Sequence, residues 1–336
     1  MVTAAYSAGP GRPPEPPLAR CGGRRALTVS LTGAPAADAD GTVGFVPNRR
    51  SRRAAAVIAS AVTALLIAAV FAAYTAYQHV TPYLTPPGCQ AGTGQQAVLL
   101  DTEQAGIAAT IAGVAAREHL PEKAVTIAYA TAMQESHMHN LHYGDRDSVG
   151  VFQQRPSQGW GTASELEDPV YAAMKFFAAL VRVPGYEQMP VDKAAQAVQH
   201  SADGTAYGQY APMAAAMAAA FTGASPRAVW CWYTPGQAAK ADLSAALHAM
   251  AGAFGPRWGD GSVARSATAH SAESSRDTAV VRVRSGGWAV AAWFVTHAGT
   301  YGITRVRYDG YAWNAAAGSR GWQRDAGPGD GSILLD

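Results

Sequence analysis

The sequence predicts a mainly α-helical protein with one membrane-spanning helix near its start and a small α+β module at its end. Three observations carry this prediction. Residues 54–77 form an apolar run without a single charge. Between Asp101 and Gly223 small apolar residues recur at helical spacing, and no alternating strand pattern interrupts them. From Thr278 the pattern turns to the alternation of VVRVR, followed by an Asp309-Gly310 dipeptide suited to a two-residue hairpin turn.

Residues 1–53 come first. Up to about residue 48 they are rich in Pro, Gly, Ala and Arg, and they lack apolar periodicity. Such a composition cannot bury enough surface to offset its ordering entropy, so a disordered tail is expected. Arg49, Arg50, Arg52 and Arg53 close the tail directly before the apolar run. The run of residues 54–77 is long enough to cross a hydrocarbon core of roughly 30 Å as a helix. Tyr74 and Tyr77 stand where an aromatic belt would lie. No Lys or Arg follows until Arg117, so the positive-inside rule places the tail in the cytoplasm and the remainder outside. A cleaved signal peptide is the competing explanation. The long leading tail speaks against it, because signal peptides occupy roughly the first 15–30 residues.

Composition limits the partners. The formal net charge of +2 gives no basic signature, and no nucleic-acid partner is expected. Three cysteines are too few for a disulfide scaffold, and their spacing fits no metal motif. Cys89 and Cys231 both fall in the exported part and are candidates for a disulfide. The sequence leaves a pair and two free thiols equally open.

Residues 78–100 read as a linker, since His79 to Gln96 holds three prolines and three glycines. A helical domain is expected over residues 101–223. Asp101 and Gln104 form a capping-box variant at its first helix. Pro121 suits the start of a second helix, which runs to about Ser136. Further helices are expected over Val170–Leu180, Pro190–His200 and Ala211–Phe221. Residues 224–277 read as a connection with one helix (Gln237 to Phe254) and a flexible Ser/Ala/Gly-rich linker from Gly259. Residues 278–336 form the α+β module, a strand, a helix over Trp288–Tyr301 and a hairpin over Thr304–Trp313. Its four tryptophans read as a small core, and no chemistry is assigned to it.

The chemistry concentrates in Gln134 to Thr162. Val125, Ala128, Ala132 and Glu135 step by three, four and three residues and share one helix face. A carboxyl group therefore ends a helix on the side expected to be buried. Desolvation there would raise its pKa, as general-acid catalysis requires. A solvated Glu at a frayed helix end would carry no function. Glu135-Ser136 is followed, eighteen residues after the Glu, by Gln153 in Gly150-Val151-Phe152-Gln153. This pairing resembles the lysozyme-like soluble lytic transglycosylases, whose Glu-Ser pair precedes Gly-Leu-Met-Gln at the same interval. Tyr143-Gly144-Asp145-Arg146-Asp147-Ser148 and Gln154 through Thr162 resemble a membrane-anchored actinobacterial branch of that superfamily. The resemblance covers roughly Asp101 to Gly223.

The resemblance implies a lysozyme-like helical fold and cleavage of peptidoglycan between N-acetylmuramic acid and N-acetylglucosamine. It implies Glu135 as the single catalytic acid, with Ser136 orienting it or touching sugar. Gly150 and Gln153 would line the glycan cleft, with the Gln153 amide presented to hydroxyl and acetamido groups. Tyr143 offers a flat face for a sugar ring, and so does Trp160, which is as readily a core residue. The family's third motif, Ala-Tyr-Asn, is absent as such. Its counterpart is Ala197-Val198-Gln199-His200-Ser201 with Ala206-Tyr207, which puts forward Gln199 and Tyr207.

Hydrolysis by the common scheme needs a second carboxylate, and Asp145 and Asp147 are the nearby candidates. Gly-Asp-Arg-Asp-Ser is equally good turn chemistry, and that reading favours the transglycosylase outcome. No cofactor and no metal is expected. His137, Met138, His139 and His142 cluster in the same loop but lack the helical i, i+4 spacing of a ligand pair. The expected partners are peptidoglycan glycan strands and the cytoplasmic membrane. Two other functions compete, a non-catalytic peptidoglycan-binding membrane adaptor and a metal-handling membrane protein.

Overall fold

The structure, a computed structural model, describes residues 49–84, 86–200, 204–234, 236, 239–256, 258–265, 277–326 and 331–336. The expected tail up to residue 48 and the centre of the expected 259–277 linker lie outside the described residues. The first helix, α1 (Arg49–Leu84), outruns its expected end at Tyr77. Its segment Ala56–Tyr77 has a mean hydropathy of 2.5 over 22 residues and no buried residue, so it is long and apolar enough to cross a membrane. Ser60 and Thr63 bond their hydroxyls back to the carbonyls of Ala56 and Ala59, which keeps polar groups satisfied within the helix.

After α1 come two short strands, β1 (Gly88–Ala91) and β2 (Val98–Leu100). With β3 (Val229–Trp232) they form a three-stranded antiparallel sheet in the order β2-β1-β3. The second half of the expected stalk is thus folded. The sequence conceals this because Gly88-Cys89-Gln90-Ala91 is too short to show alternation. What holds it is the partner strand 140 positions away. Cys89 faces Cys231 in the register, and the two form a disulfide closing a separation of 142 residues. Removing that loop-closure entropy from the unfolded chain is worth about 4–5 kcal/mol.

The helical part follows the expected order, with α2 (Thr102–Arg117), α3 (Glu122–Ser136), α4 (Ala163–Leu166), α5 (Pro169–Leu180), α6 (Val191–Gln199) and α7 (Ala211–Phe221). The α2 capping box is present, with Asp101 accepting from Gln104 N at 2.8 Å and Gln104 Oε1 accepting from Asp101 N at 3.0 Å. The buried positions of α2 are mostly Ala and Gly, so neighbouring helices come close. Tyr129 of α3 donates its hydroxyl to Ala108 O of α2 at 2.6 Å. Gly113 lies against the Phe254 ring, where a Cβ would stand only 2.9 Å from it.

The C-terminal part holds α8 (Leu243–Phe254), β4 (Gly259–Arg265), β5 (Asp277–Val283), α9 (Gly287–Thr296), α10 (Ala298–Tyr301), β6 (Arg305–Tyr308), β7 (Tyr311–Asn314), β8 (Gln323–Arg324) and β9 (Ser332–Leu335). Six of these strands form an antiparallel sheet, β4-β5-β9-β6-β7-β8. The expected hairpin is β6–β7, turning through Asp309 and Gly310, both at positive φ. Two expectations change. The start of the Gly259 linker is strand β4, paired along its length with β5. The C-terminal segment is also integrated with the helical part, and Leu65–Asp336 groups as one compact unit. Helix α9 is buried along its whole length against α2, α7 and β3, because GWAVAAWFVT is apolar on every side. Trp313 and Trp322 donate their indole N–H groups to the carbonyls of Cys231 and Val229, at 2.9 and 2.7 Å. These two tryptophans bind the late sheet to β3.

His297 separates α9 from α10. Its ring stacks on Trp293 at 3.9 Å, and Nδ1 lies 2.8 Å from Trp293 O. Burial lowers its pKa to about 4, although the bond to the Trp293 carbonyl opposes the shift. The unfolded chain therefore binds more protons than the folded chain between about pH 6.5 and pH 4, and stability falls as pH drops through that window. His297 is expected to remove about 2 kcal/mol of stability between pH 7 and pH 5. Denaturant unfolding across this range should show a shallower pH slope for His297→Gln than for the unmodified chain. Equal slopes would refute the assignment.

Candidate functional site

Helix α3 delivers Glu135 and stops one residue later. His137 and Met138 both take left-handed backbone, at φ 52° and 62°. Met138 N reaches back to Ala132 O at 2.9 Å and His137 N to Met133 O at 3.2 Å, so backbone bonds take up the last carbonyls of the helix. Met138 is fully buried and anchors the reversal in the core. The loop beyond is fastened to the start of α2. Gln104 Nε2 donates to His137 O at 2.9 Å. Glu103 accepts from Asn140 N at 3.0 Å and lies 2.9 Å from His139 Nδ1, while Asp101 lies 3.4 Å from the other ring nitrogen. Burial raises the Glu103 pKa, but the Asn140 and His139 hydrogen bonds outweigh it and leave the carboxyl below its ordinary value.

Three further elements converge on Glu135, which is half-buried. Tyr207, in the 3-10 helix Gly204–Tyr210 and almost fully buried, donates its hydroxyl to Glu135 Oε1 at 2.6 Å. Gln199, the last residue of α6, donates Nε2 to the same oxygen at 3.2 Å and to Phe152 O at 2.7 Å. Ser136 is buried and donates to Val151 O at 2.8 Å, so Glu135 is bound to the 150–153 segment from both sides. Among the described residues no hydrogen bond reaches Glu135 Oε2. At the edge, Gln209 donates to Gln134 Oε1 at 3.2 Å.

The structure thus brings together Glu135, Ser136, Gln199 and Tyr207. Gly150 sits behind them with φ 76°, where a Cβ would stand 2.2 Å from Leu166 O. Gln153 is bound within its own loop. Its amide N–H groups go to Tyr143 O at 3.3 Å and Gly150 O at 3.1 Å, and its Oε1 accepts from Ser148 Oγ at 3.0 Å. The side chain closes its own loop. Tyr143 is 73% exposed, and its carbonyl is the part the loop uses.

Each candidate second carboxylate has surroundings of its own. Asp145 lies in solvent, 3.9 Å from Arg146. Asp147 accepts from Arg155 Nε at 2.8 Å, Ser157 N at 2.7 Å and Ser157 Oγ at 3.0 Å. The Arg155 guanidinium, and then Ser157, hold its carboxyl well below the usual range. Asp147 therefore braces the turn, as Gly-Asp-Arg-Asp-Ser chemistry favours. The histidines of the same loop go separate ways, His139 to Glu103 and His142 to Glu167 at 3.0 Å. Among the described residues no group of three or more His, Cys, Asp or Glu is placed to hold a metal ion. The Asp101–Glu103–Gln104 brace carries no signal in the sequence, because a capping box and a first-turn acid account for those residues without any distant contact. Searches against protein-family models and curated proteins find no match to this chain.

The backbone at the two ends of the loop makes opposite demands. Gly150→Ala should cost at least about 2 kcal/mol, from a left-handed backbone and a carbonyl clash. His137→Gly should stabilise by about 0.5–1 kcal/mol, since the exposed His137 holds a conformation that glycine adopts freely. Thermal unfolding of both variants checks the pair, and a destabilised His137→Gly would contradict this account of the α3 terminus.

Proposed function

We propose that this chain is a membrane-anchored enzyme that cleaves peptidoglycan between N-acetylmuramic acid and N-acetylglucosamine, with Glu135 as its single catalytic carboxyl. The observation that carries the reading is the asymmetry at Glu135. Oε1 accepts from Tyr207 and Gln199, and Oε2 receives no hydrogen bond among the described residues. Two fixed donors on one oxygen leave the other to exchange a proton with a substrate. The motif spacing of Glu135-Ser136 and Gly150 to Gln153 supports the same substrate class.

In this mechanism Glu135 gives its proton to the glycosidic oxygen as the bond to the muramyl anomeric carbon breaks. The carboxylate then removes the proton from the muramyl 6-hydroxyl, whose oxygen closes on the anomeric carbon to give a 1,6-anhydro end. Glu135 is protonated again and no water is consumed. Tyr207 and Gln199 stabilise the carboxylate between the two steps and hold its orientation. Asp147, already bound to Arg155 and Ser157, is not assigned to activate water, which favours the transglycosylase outcome over hydrolysis. Helix α1 would anchor the domain on the outer face of the cytoplasmic membrane.

Zymography on purified peptidoglycan tests this. Glu135→Gln should abolish clearing, and Tyr207→Phe should lower the rate by about 10–100-fold, the loss of one hydrogen bond to a charged group. Digests should contain 1,6-anhydromuramyl ends. Equal clearing by the unmodified protein and Glu135→Gln would remove Glu135 from the mechanism. No clearing by either, with glycan still bound, would mark an adaptor.

A further inference from the structure

A second cleft opens at the other end of α3. Its volume is about 540 Å³, and it lies where the C-terminal ends of α2 and α7, the start of α3 and the start of α9 meet. Glu122 in this cleft and Glu135 in the first site are separated by about 20 Å along the helix. The size falls within the roughly 300–1,000 Å³ typical of small-ligand sites.

Its lining has two characters. Ala116 and Leu120 supply its accessible apolar surface, Trp258 stands as an aromatic wall, and the exposed His119 lies on the same lining. Glu122 and Arg284 add opposite charges to the same cavity without forming an ion pair with each other. Glu122 accepts from the Thr222 hydroxyl at 3.4 Å and forms no ion pair among the described residues. Among the described residues Arg284 has no hydrogen bond and no ion pair. Ser285 follows Arg284, and α9 begins two residues later, so the positive end of a ten-residue helix lies beside the guanidinium. The lining thus offers a cation for an anion, a carboxylate for a cation and apolar surface in one cavity.

We propose that this cleft binds a short peptide with both termini free. Its carboxylate lies against Arg284, Ser285 and the start of α9, and its ammonium against Glu122. This site is independent of the glycan reading, since none of its residues touches Glu135.

The test uses the full chain in lipid nanodiscs, titrated with trialanine and followed by calorimetry. Saturable binding is expected, and N-acetyl-trialanine amide should bind at least about tenfold more weakly, since each end loses a charge-assisted contact. Arg284→Gln should weaken trialanine about tenfold and leave trialanine amide unaffected. Glu122→Gln should weaken trialanine about tenfold and leave N-acetyl-trialanine unaffected. Both side chains are exposed, so neither change threatens the fold. Glu135→Gln should bind trialanine as the unmodified chain does. Absence of saturable binding, equal affinity for the doubly blocked peptide, or indifference to Arg284→Gln would each overturn the proposal.

Discussion

Small side chains along α2 are the constraint on which the rest of this architecture depends. Ala105, Ala108, Ala109, Ala112, Gly113 and Ala115 leave little bulk on the helix, so α3, α5, α8 and α9 can all pack on it. A larger residue at any of these positions would push one neighbour away. Gly113 shows the limit, since even a methyl group there would collide with Phe254. Crowding around one thin helix draws the C-terminal sheet into the same core as helix α3. The same helix start also supplies the polar brace for the loop after Glu135, through Glu103 and Gln104. Core and site therefore share one scaffold.

The site is held by two kinds of bond. The α3 terminus is set by backbone closure and by a buried methionine, neither of which has charge to lose. The surrounding loop is set by carboxylates, Glu103 on one side and Asp147 on the other, each taking backbone and side-chain donors. Glu135 differs from both. It is held at one oxygen by neutral donors, Tyr207 and Gln199, which orient it without supplying a counter-charge. Acidic residues in one short region thus differ in the kind of partner that holds them.

Much of the helical order was legible in the sequence. The Asp101 capping box, the Pro121 start, the full extent of α7 and the Asp309-Gly310 turn all rest on local rules, and local rules are what sequence patterns encode. Cys89 facing Cys231 and the burial of α9 against α2 are products of pairings more than a hundred positions apart, and the strand at Gly259, GDGSVAR, has too few apolar residues to show alternation. Tyr207 and Gln199 were reached through a partial motif and not through their own surroundings. The bonds of Gln153 to Ser148, Tyr143 and Gly150 were likewise not legible in its motif.

The Cys89–Cys231 bridge has a topological consequence. Every residue of the Glu135 site, from Glu103 to Tyr207, lies on the loop it closes. A single backbone cut anywhere inside that loop leaves both fragments in one covalent molecule, so the half bearing Glu135 cannot diffuse from the half bearing Tyr207. The strands and helices after Cys231 have no such tether among the described residues. Past that point, the chain's attachment to the site after a cut depends on packing alone, chiefly on α9 and the indoles of Trp313 and Trp322.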